Sequence, residues 1–481
     1  MSTGDTAPRA GGPRFHRAVW RWHFYAGLFV LPFIVWLALT GAVYLYQKPI
    51  DRWVHPALKV VPVRPAAQAL PSAQIAAVQA LGVGEVFRYT TPERADGSVE
   101  IGVLAADGQR QVYYVDPWST QVLGHLPERG TFSGVVRRLH SLDLLGDGAR
   151  ALIEIAAGWA ILLVLTGIYL WWPRGQKGGV VTVRGRPPQR LFWRDLHAVT
   201  GVGVGGVLLF LALTGMPWSV VWGKQVNAWV NGQAFGYPAG VRVDIPMSQQ
   251  RLADTVRPGW SLEHARLPQS QPVGDAPAAV AGEDHAHHAD HAAHAAHGGG
   301  ALGDLRPQPG SIGLDAAVAR FAGLGLVPGF SVSLPRGERG VYSASVYPED
   351  VQQQRVVHLD QYRGTVLLDM GYADYGAVGR GLEWGINVHL GQEYGTVNRL
   401  LLLVACAAIV LLCVSGAVMW WKRRPLRGLG VPPLPKQRGT VVGVFALLCV
   451  GGLLFPLMGL SLLVVGLLDL LATRGWSRQP A

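Results

Sequence analysis

Four histidines carry the chemistry of this sequence, and they fall into two matched pairs. His23 is followed 4 residues on by Gly27 and 17 on by Thr40-Gly41, and His197 is followed at the same offsets by Gly201 and Thr214-Gly215. His140 is followed at 6, 10 and 26 residues by Gly146, Arg150 and Thr166-Gly167, and His389 at the same offsets by Gly395, Arg399 and Ser415-Gly416. Each of the four sits beside an apolar run. Ionisable or ligating side chains at membrane depth are costly and usually functional. Two neutral imidazoles facing each other across a helical bundle are what bis-His haem iron requires, and two such centres stacked through a membrane would form an electron path. The plainer alternative is four structural histidines at helix ends. Gly27 and Gly201 lie one turn beyond His23 and His197, on the same helix face. They would admit a flat macrocycle or, equally, close helix packing. Arg150 and Arg399 could pair haem propionates bidentately or extend to the interface. The repeated Thr/Ser-Gly is about 25 Å along the helix from His23 or His197. It is too far to touch the same haem and reads as a helix contact.

The elements that must hold these residues are membrane spans. The chain has 481 residues, 49% hydrophobic and 15% charged, whereas soluble domains carry about 25% charge. Apolar runs of about 20 residues, enough for a hydrocarbon core, recur. The formal charge of +11 does not point to nucleic acid, because the basic residues flank the spans in the positive-inside pattern. The reading divides the chain into a cytoplasmic tail (1–20), a first span (21–46), a soluble module (47–135), a His segment with the second span (136–172) and a basic loop (173–194). A third span (195–222), a second module (223–380), a His segment with the fourth span (381–421), a basic loop (422–439) and a C-terminal hairpin (440–473) complete it. No cleavable leader is evident, and the first span reads as a retained anchor. The lysine and arginine bias puts the tail and both basic loops in the cytoplasm and the two modules outside. His23 and His197 then lie near the cytoplasmic face, and His140 and His389 near the outer face.

Both modules read as a helix followed by strands. The first has a helix at 71–81 and strands near 85–90, 99–103 and 111–115, then a turn from Asp116 to Gly124. The second has a helix at 314–324 and strands near 330–334, 341–347, 354–359 and 365–369, with a similar turn around Gln361 to Gly364. An insertion at 283–300 carries His285, His287, His288, His291, His294 and His297. It is either a weak, irregular collector of a divalent metal such as zinc, copper or nickel or an inert linker. Cys406, Cys413 and Cys449 lie inside apolar runs and imply no disulfides. Covalent c-type haem is excluded, since no Cys-x-x-Cys-His is present. The glycines from Gly201 to Gly206 lie within a span, not after a strand, so they form no dinucleotide loop. No flavin or nicotinamide domain is visible, so an electron donor must be a separate molecule.

Four spans with marked histidines, interleaved with helix-plus-strand modules bearing the Val115-Asp116-Pro117…Gly124 turn, resemble the PepSY-associated transmembrane proteins. The resemblance covers nearly the whole chain except the tail and the His tract. It implies a membrane all-α bundle, four main helices in a duplicated pseudo-twofold arrangement plus the hairpin, carrying two α+β PepSY-like periplasmic modules. It further implies a protein of the bacterial inner membrane similar to the ferric-siderophore reductases. Such a protein would hold two haem b groups, His23 with His197 and His140 with His389, and pass electrons from a cytoplasmic donor to a periplasmic ferric-siderophore. The His tract departs from the plain pattern and leaves copper as a rival metal. Two other readings stay open: a non-catalytic membrane protein that binds metal or a partner, and a transporter of the siderophore or metal.

Overall fold

A computed structural model describes residues 12–173, 179–231, 247–254, 260–262, 265–272, 308–424, 446 and 448–476. The His tract at 285–297 lies outside the described residues.

Among the described residues, four helices are long and apolar enough to cross a membrane. The first, α1, runs Gly12–Tyr44. It begins about ten residues before the expected span, and Phe15 explains why: its ring packs edge-on against Tyr169, 5.5 Å away at the far end of the second span. Pro32 is carried inside the helix. Short helices α2 (Gln47–Val54), α3 (Pro56–Lys59) and α4 (Pro71–Gln79) follow, then strands β1 (Glu85–Thr90), β2 (Val99–Leu104), β3 (Arg110–Val115) and β4 (Val122–Pro127). Helix α5 (Phe132–His140) leads into the second span, α6 (Asp147–Trp171). The third span, α7 (Arg190–Gly215), is followed by α8 (Trp222–Asn231). A small hairpin, β5 (Met247–Arg251) with β6 (Arg266–Pro268), precedes α9 (Gly313–Gly323). Strands β7 (Ser331–Ser333), β8 (Val341–Val346), β9 (Arg355–Asp360) and β10 (Val366–Gly371) complete the soluble part. Then come α10 (Ala377–His389), the fourth span α11 (Gly395–Arg423) and α12 (Pro456–Trp476).

The spans pack as a closed four-helix ring, α1 on α6, α6 on α7, α7 on α11 and α11 on α1. Neighbours run antiparallel: near the start of α1, His23 meets Thr166 near the end of α6 and Trp20 meets Arg423 at the end of α11, and near the start of α7, His197 meets Ser415 near the end of α11. Thus α1 and α7 share one diagonal, and α6 and α11 the other. Trp159, Ala160, Ile161, Val204, Ala405 and Ile409 are buried between the helices. Near the C-terminus the helix breaks at Phe455-Pro456, and a Cβ on Gly452 would stand 2.8 Å from the Gly459 Cα. A continuous helix would separate residues seven apart by about 10 Å, so the chain doubles back there.

Four strands from each soluble region form one antiparallel sheet of eight, in the order β10-β9-β8-β7-β1-β2-β3-β4, with the β5–β6 hairpin apart from it. The order runs outward from the β7–β1 junction as hairpin-linked neighbours on each side. The junction pairs Arg88 with Ser333, Tyr89 with Val332 and Thr90 with Ser331. It is reinforced by a Thr90–Ser331 hydroxyl bond at 2.8 Å and by Asp315 of α9, which accepts from the Ser72 amide and hydroxyl at the start of α4. Alternate strand residues face one side, so Val99, Ile101 and Val103 of β2 join Ile75, Val78, Leu314 and Phe321 in one core shared by both halves. Both expected turns are built alike. Asp116 accepts from the Trp118 and Ser119 amides, and Asp360 from the Tyr362 and Arg363 amides. Thr120 and Gly364, four residues on, both take left-handed φ, at 59° and 64°.

Candidate functional site

The four histidines occupy two levels of the bundle. His23 lies near the start of α1, away from the sheet, and His197 near the start of α7. His140 and His389 end α5 and α10, just before α6 and α11, on the sheet side. Seventeen residues of α1 separate His23 from Thr40, which puts the levels about 25 Å apart along the helix.

Each imidazole is held by a hydroxyl on a neighbouring helix. The His23 Nδ1 lies 2.8 Å from the Thr166 Oγ1, the His140 Nδ1 2.8 Å from the Thr40 Oγ1, and the His389 Nδ1 2.8 Å from the Thr214 Oγ1. The His197 Nδ1 meets both the Leu412 carbonyl oxygen at 3.0 Å and the Ser415 Oγ at 3.2 Å. The hydroxyl protons are committed elsewhere. Thr40 donates to the Trp36 carbonyl at 2.7 Å, Thr166 to Leu162 at 2.6 Å, Thr214 to Phe210 at 2.7 Å and Ser415 to Leu412 at 2.8 Å. A hydroxyl has a single proton, so each must accept from the imidazole. That fixes the Nδ1–H tautomer in all four rings and leaves each Nε2 lone pair available. No Nε2 has a hydrogen-bond partner among the described residues.

The glycine after each hydroxyl completes the cradle. A Cβ on Gly167 or Gly416 would stand 3.4 Å from the Cε1 of His23 or His197, and one on Gly41 or Gly215 would stand 3.5 Å from that of His140 or His389. The imidazole edges therefore lie against bare backbone. Read along one helix, the Thr/Ser-Gly pairs are remote from any histidine. Read across the bundle, each meets the histidine of an adjacent helix, a pairing that only tertiary structure reveals. Spacing alone held the clue, since the hydroxyl offsets repeat in register with the histidines.

Each level holds two of the imidazoles. Both pairs belong to the α1 and α7 diagonal: His23 and His197 stand toward the starts of those helices, and His140 and His389 meet Thr40 and Thr214 near their ends. Gly27 and Gly201 are not demanded by helix packing. A Cβ there would make only ordinary contact, with Leu163 at 3.9 Å and Leu412 at 3.4 Å. The Trp218 ring stands edge-on to His389 at 6.4 Å. Arg150 pairs with Asp147 at 3.1 Å and lies 3.9 Å from Asp143, while Arg399 pairs with Glu349 at 2.6 Å and donates to the Gly391 carbonyl. Both arginines stand on the sheet side and already hold carboxylates of the chain.

Two buried carboxylates had no part in the sequence reading of the site. Glu154, 2% exposed inside α6, accepts the Val221 and Trp222 amides at the start of α8, at 2.8 and 3.0 Å. Its place in the other copy is Leu403, so no repeat marks it. Asp195, two residues before His197 and fully buried, is held by Arg184 at 2.8 Å and Arg194 at 2.6 Å. The described residues contain no group of three or more His, Cys, Asp or Glu arranged to hold a bare metal ion.

The arrangement suits a planar group taken between two imidazoles at each level. The four imidazoles offer Nε2, their other nitrogen is committed, and the set contains no carboxylate or thiolate. A family model described as PepSY-associated TM region matches residues 20–423 of the chain. No curated protein matches it.

Proposed function

The chain belongs to the family of that model, and on that footing we propose that it is a di-haem b transmembrane oxidoreductase that reduces a ferric chelate on the sheet side. The observation that carries the reading is the set of four imidazoles, each fixed as the Nδ1–H tautomer with Nε2 free, two at each level of the bundle. Metal-ligating histidines characteristically donate their other nitrogen in this way. When bound, haem supplies one-electron Fe(III)/Fe(II) chemistry. His23 and His197 would hold the group far from the sheet, and His140 and His389 the group beside it. Gly27 and Gly201 leave room beside the first pair. Arg150 and Arg399 would share their charge between their present carboxylates and propionates.

The net reaction moves one electron from a separate donor on the side of the basic loops to a ferric chelate, Fe(III) becoming Fe(II). By the positive-inside rule the donor side is the cytoplasm and the sheet is periplasmic, in a bacterial inner membrane. A ferric-siderophore is the substrate class this suits, because a large polar chelate stays outside the lipid while the sheet-side pair lies at the interface. The His tract, with His285 and its neighbours, would add only a weak divalent-metal site. Purified protein tests the reading. A reduced-minus-oxidised spectrum should show b-type haem, and reduced protein should be reoxidised by a ferric-siderophore. A colourless protein would return the histidines to a structural role.

A further inference from the structure

The four imidazole clamps are not alike. His23, His140 and His389 each give their Nδ1–H to one threonine hydroxyl. His197 gives its proton to two acceptors, a peptide carbonyl and a serine hydroxyl. The second acceptor exists because Ser415 reaches back three residues to Leu412, the same carbonyl the imidazole meets. Resting on the haem reading above, we propose that Thr40, Thr166, Thr214 and Ser415 are positioning residues that set the potential of each haem level separately. The doubly held His197 makes the sheet-distal level the lower of the two.

An acceptor on Nδ1–H draws that proton away, so the ring gains imidazolate character and Nε2 becomes the stronger donor. A stronger axial donor favours Fe(III) over Fe(II) and lowers the potential. The hydroxyls are good acceptors for a reason visible in the geometry. Each donates to a carbonyl, and a hydroxyl polarised within such a chain accepts more strongly, the more so in a medium of low dielectric. At the sheet side both rings rely on one hydroxyl each. At the distal level one ring has a hydroxyl, and the other a hydroxyl plus a carbonyl. The extra acceptor puts the lower potential at the end far from the sheet, and electrons then run downhill toward the sheet. The same geometry makes Ser415 the one dispensable hydroxyl, because the Leu412 carbonyl remains when it is removed.

The test is a spectroelectrochemical titration of the full-length holoprotein in detergent, with haem counted independently by pyridine haemochrome. Thr166→Val should raise the potential of one haem, and Thr40→Val and Thr214→Val should raise that of the other. Thr166→Ser, which keeps the hydroxyl, should restore the parent value. Ser415→Ala should move the same haem as Thr166→Val, by less than half as much. In the parent, the haem that Thr166→Val moves should be the lower one. If a valine variant loses haem, Thr166→Cys, whose thiol is a weaker acceptor, takes its place. An upward shift then supports the proposal and an unmoved potential overturns it. Two haems with potentials indifferent to these changes would overturn this inference and leave the haem reading intact, as would a Ser415→Ala shift equal to that of Thr166→Val. A higher potential at the distal level would do the same. A parent without haem would overturn both.

Discussion

Glu154→Ala is the substitution whose cost the structure specifies most fully. The carboxylate lies about 10 Å into α6, and its two oxygens accept the Val221 and Trp222 amides. Those amides belong to the start of a helix, where N–H groups lack intrahelical partners. Each buried donor left unmade costs about 1–3 kcal/mol. Two would cost about 2–6 kcal/mol, reduced because a buried charge disappears with them, so about 2–4 kcal/mol is expected. Glu154→Gln keeps one carbonyl acceptor and should cost about 1–2 kcal/mol. The damage should be local. Helix α8 is tied through Asn227 to the Trp260 carbonyl, and Trp260 to the Pro217 carbonyl. Trp218, beside Pro217, packs on His389. Thermal unfolding in detergent, followed by tryptophan emission, should therefore rank parent above Gln above Ala. The sheet-side haem should be perturbed and the sheet-distal one spared. An alanine variant as stable as the parent, or more stable than the glutamine variant, would refute the reasoning.

Three further outcomes follow. Gly167→Leu places a side chain where a Cβ already stands 3.4 Å from the His23 ring; overpacking costs about 1–3 kcal/mol, and the variant should lose or shift the sheet-distal haem alone, read by its spectrum. For Asp116, burial alone would raise the carboxyl, but bonds from the Trp118 amide, the Ser119 hydroxyl and amide, and the Arg64 guanidinium outweigh it and hold it below the usual range. The folded value lies below the unfolded value of about 3.9, so its contribution is present above that pH and lost as pH falls through the folded value. Asp116→Asn should lower denaturant stability at neutral pH by about 1–2 kcal/mol, and the gap to the parent should close in acid. Deleting residues 285–297 should leave haem content unchanged while removing any weak zinc or copper binding, as measured by calorimetry.

Local pattern carried much of the fold. Alternation in Val99–Leu104 and the Pro71 start of α4 marked the elements where they stand, because a half-buried strand and a proline-started helix write themselves into a few residues. The Asp116 turn was legible for the same reason, and its counterpart proves to start at Asp360, one residue before the expected Gln361. The merged sheet was not legible. Its junction is three residue pairs between strands more than 200 residues apart, and nothing in Arg88–Thr90 names Ser331–Ser333 as the partner. The histidines stood out through their repeated offsets, and so did the Thr/Ser-Gly pairs. Their purpose did not, because it joins one helix to another: Thr166 serves His23, and Thr40 serves His140. The start of α1 at Gly12 was hidden for a similar reason, since Tyr169 is what the extra turns pack against.

The central claim is that four imidazoles form two independent haem sites, and haem stoichiometry in single-histidine variants tests it most directly. The parent should carry two haem b per chain by pyridine haemochrome. His140→Ala and His389→Ala should each remove the same one, and His23→Ala and His197→Ala the other, distinguished by the optical transition that disappears. Retention of both haems in any of these variants, or loss of both from each, would contradict the account.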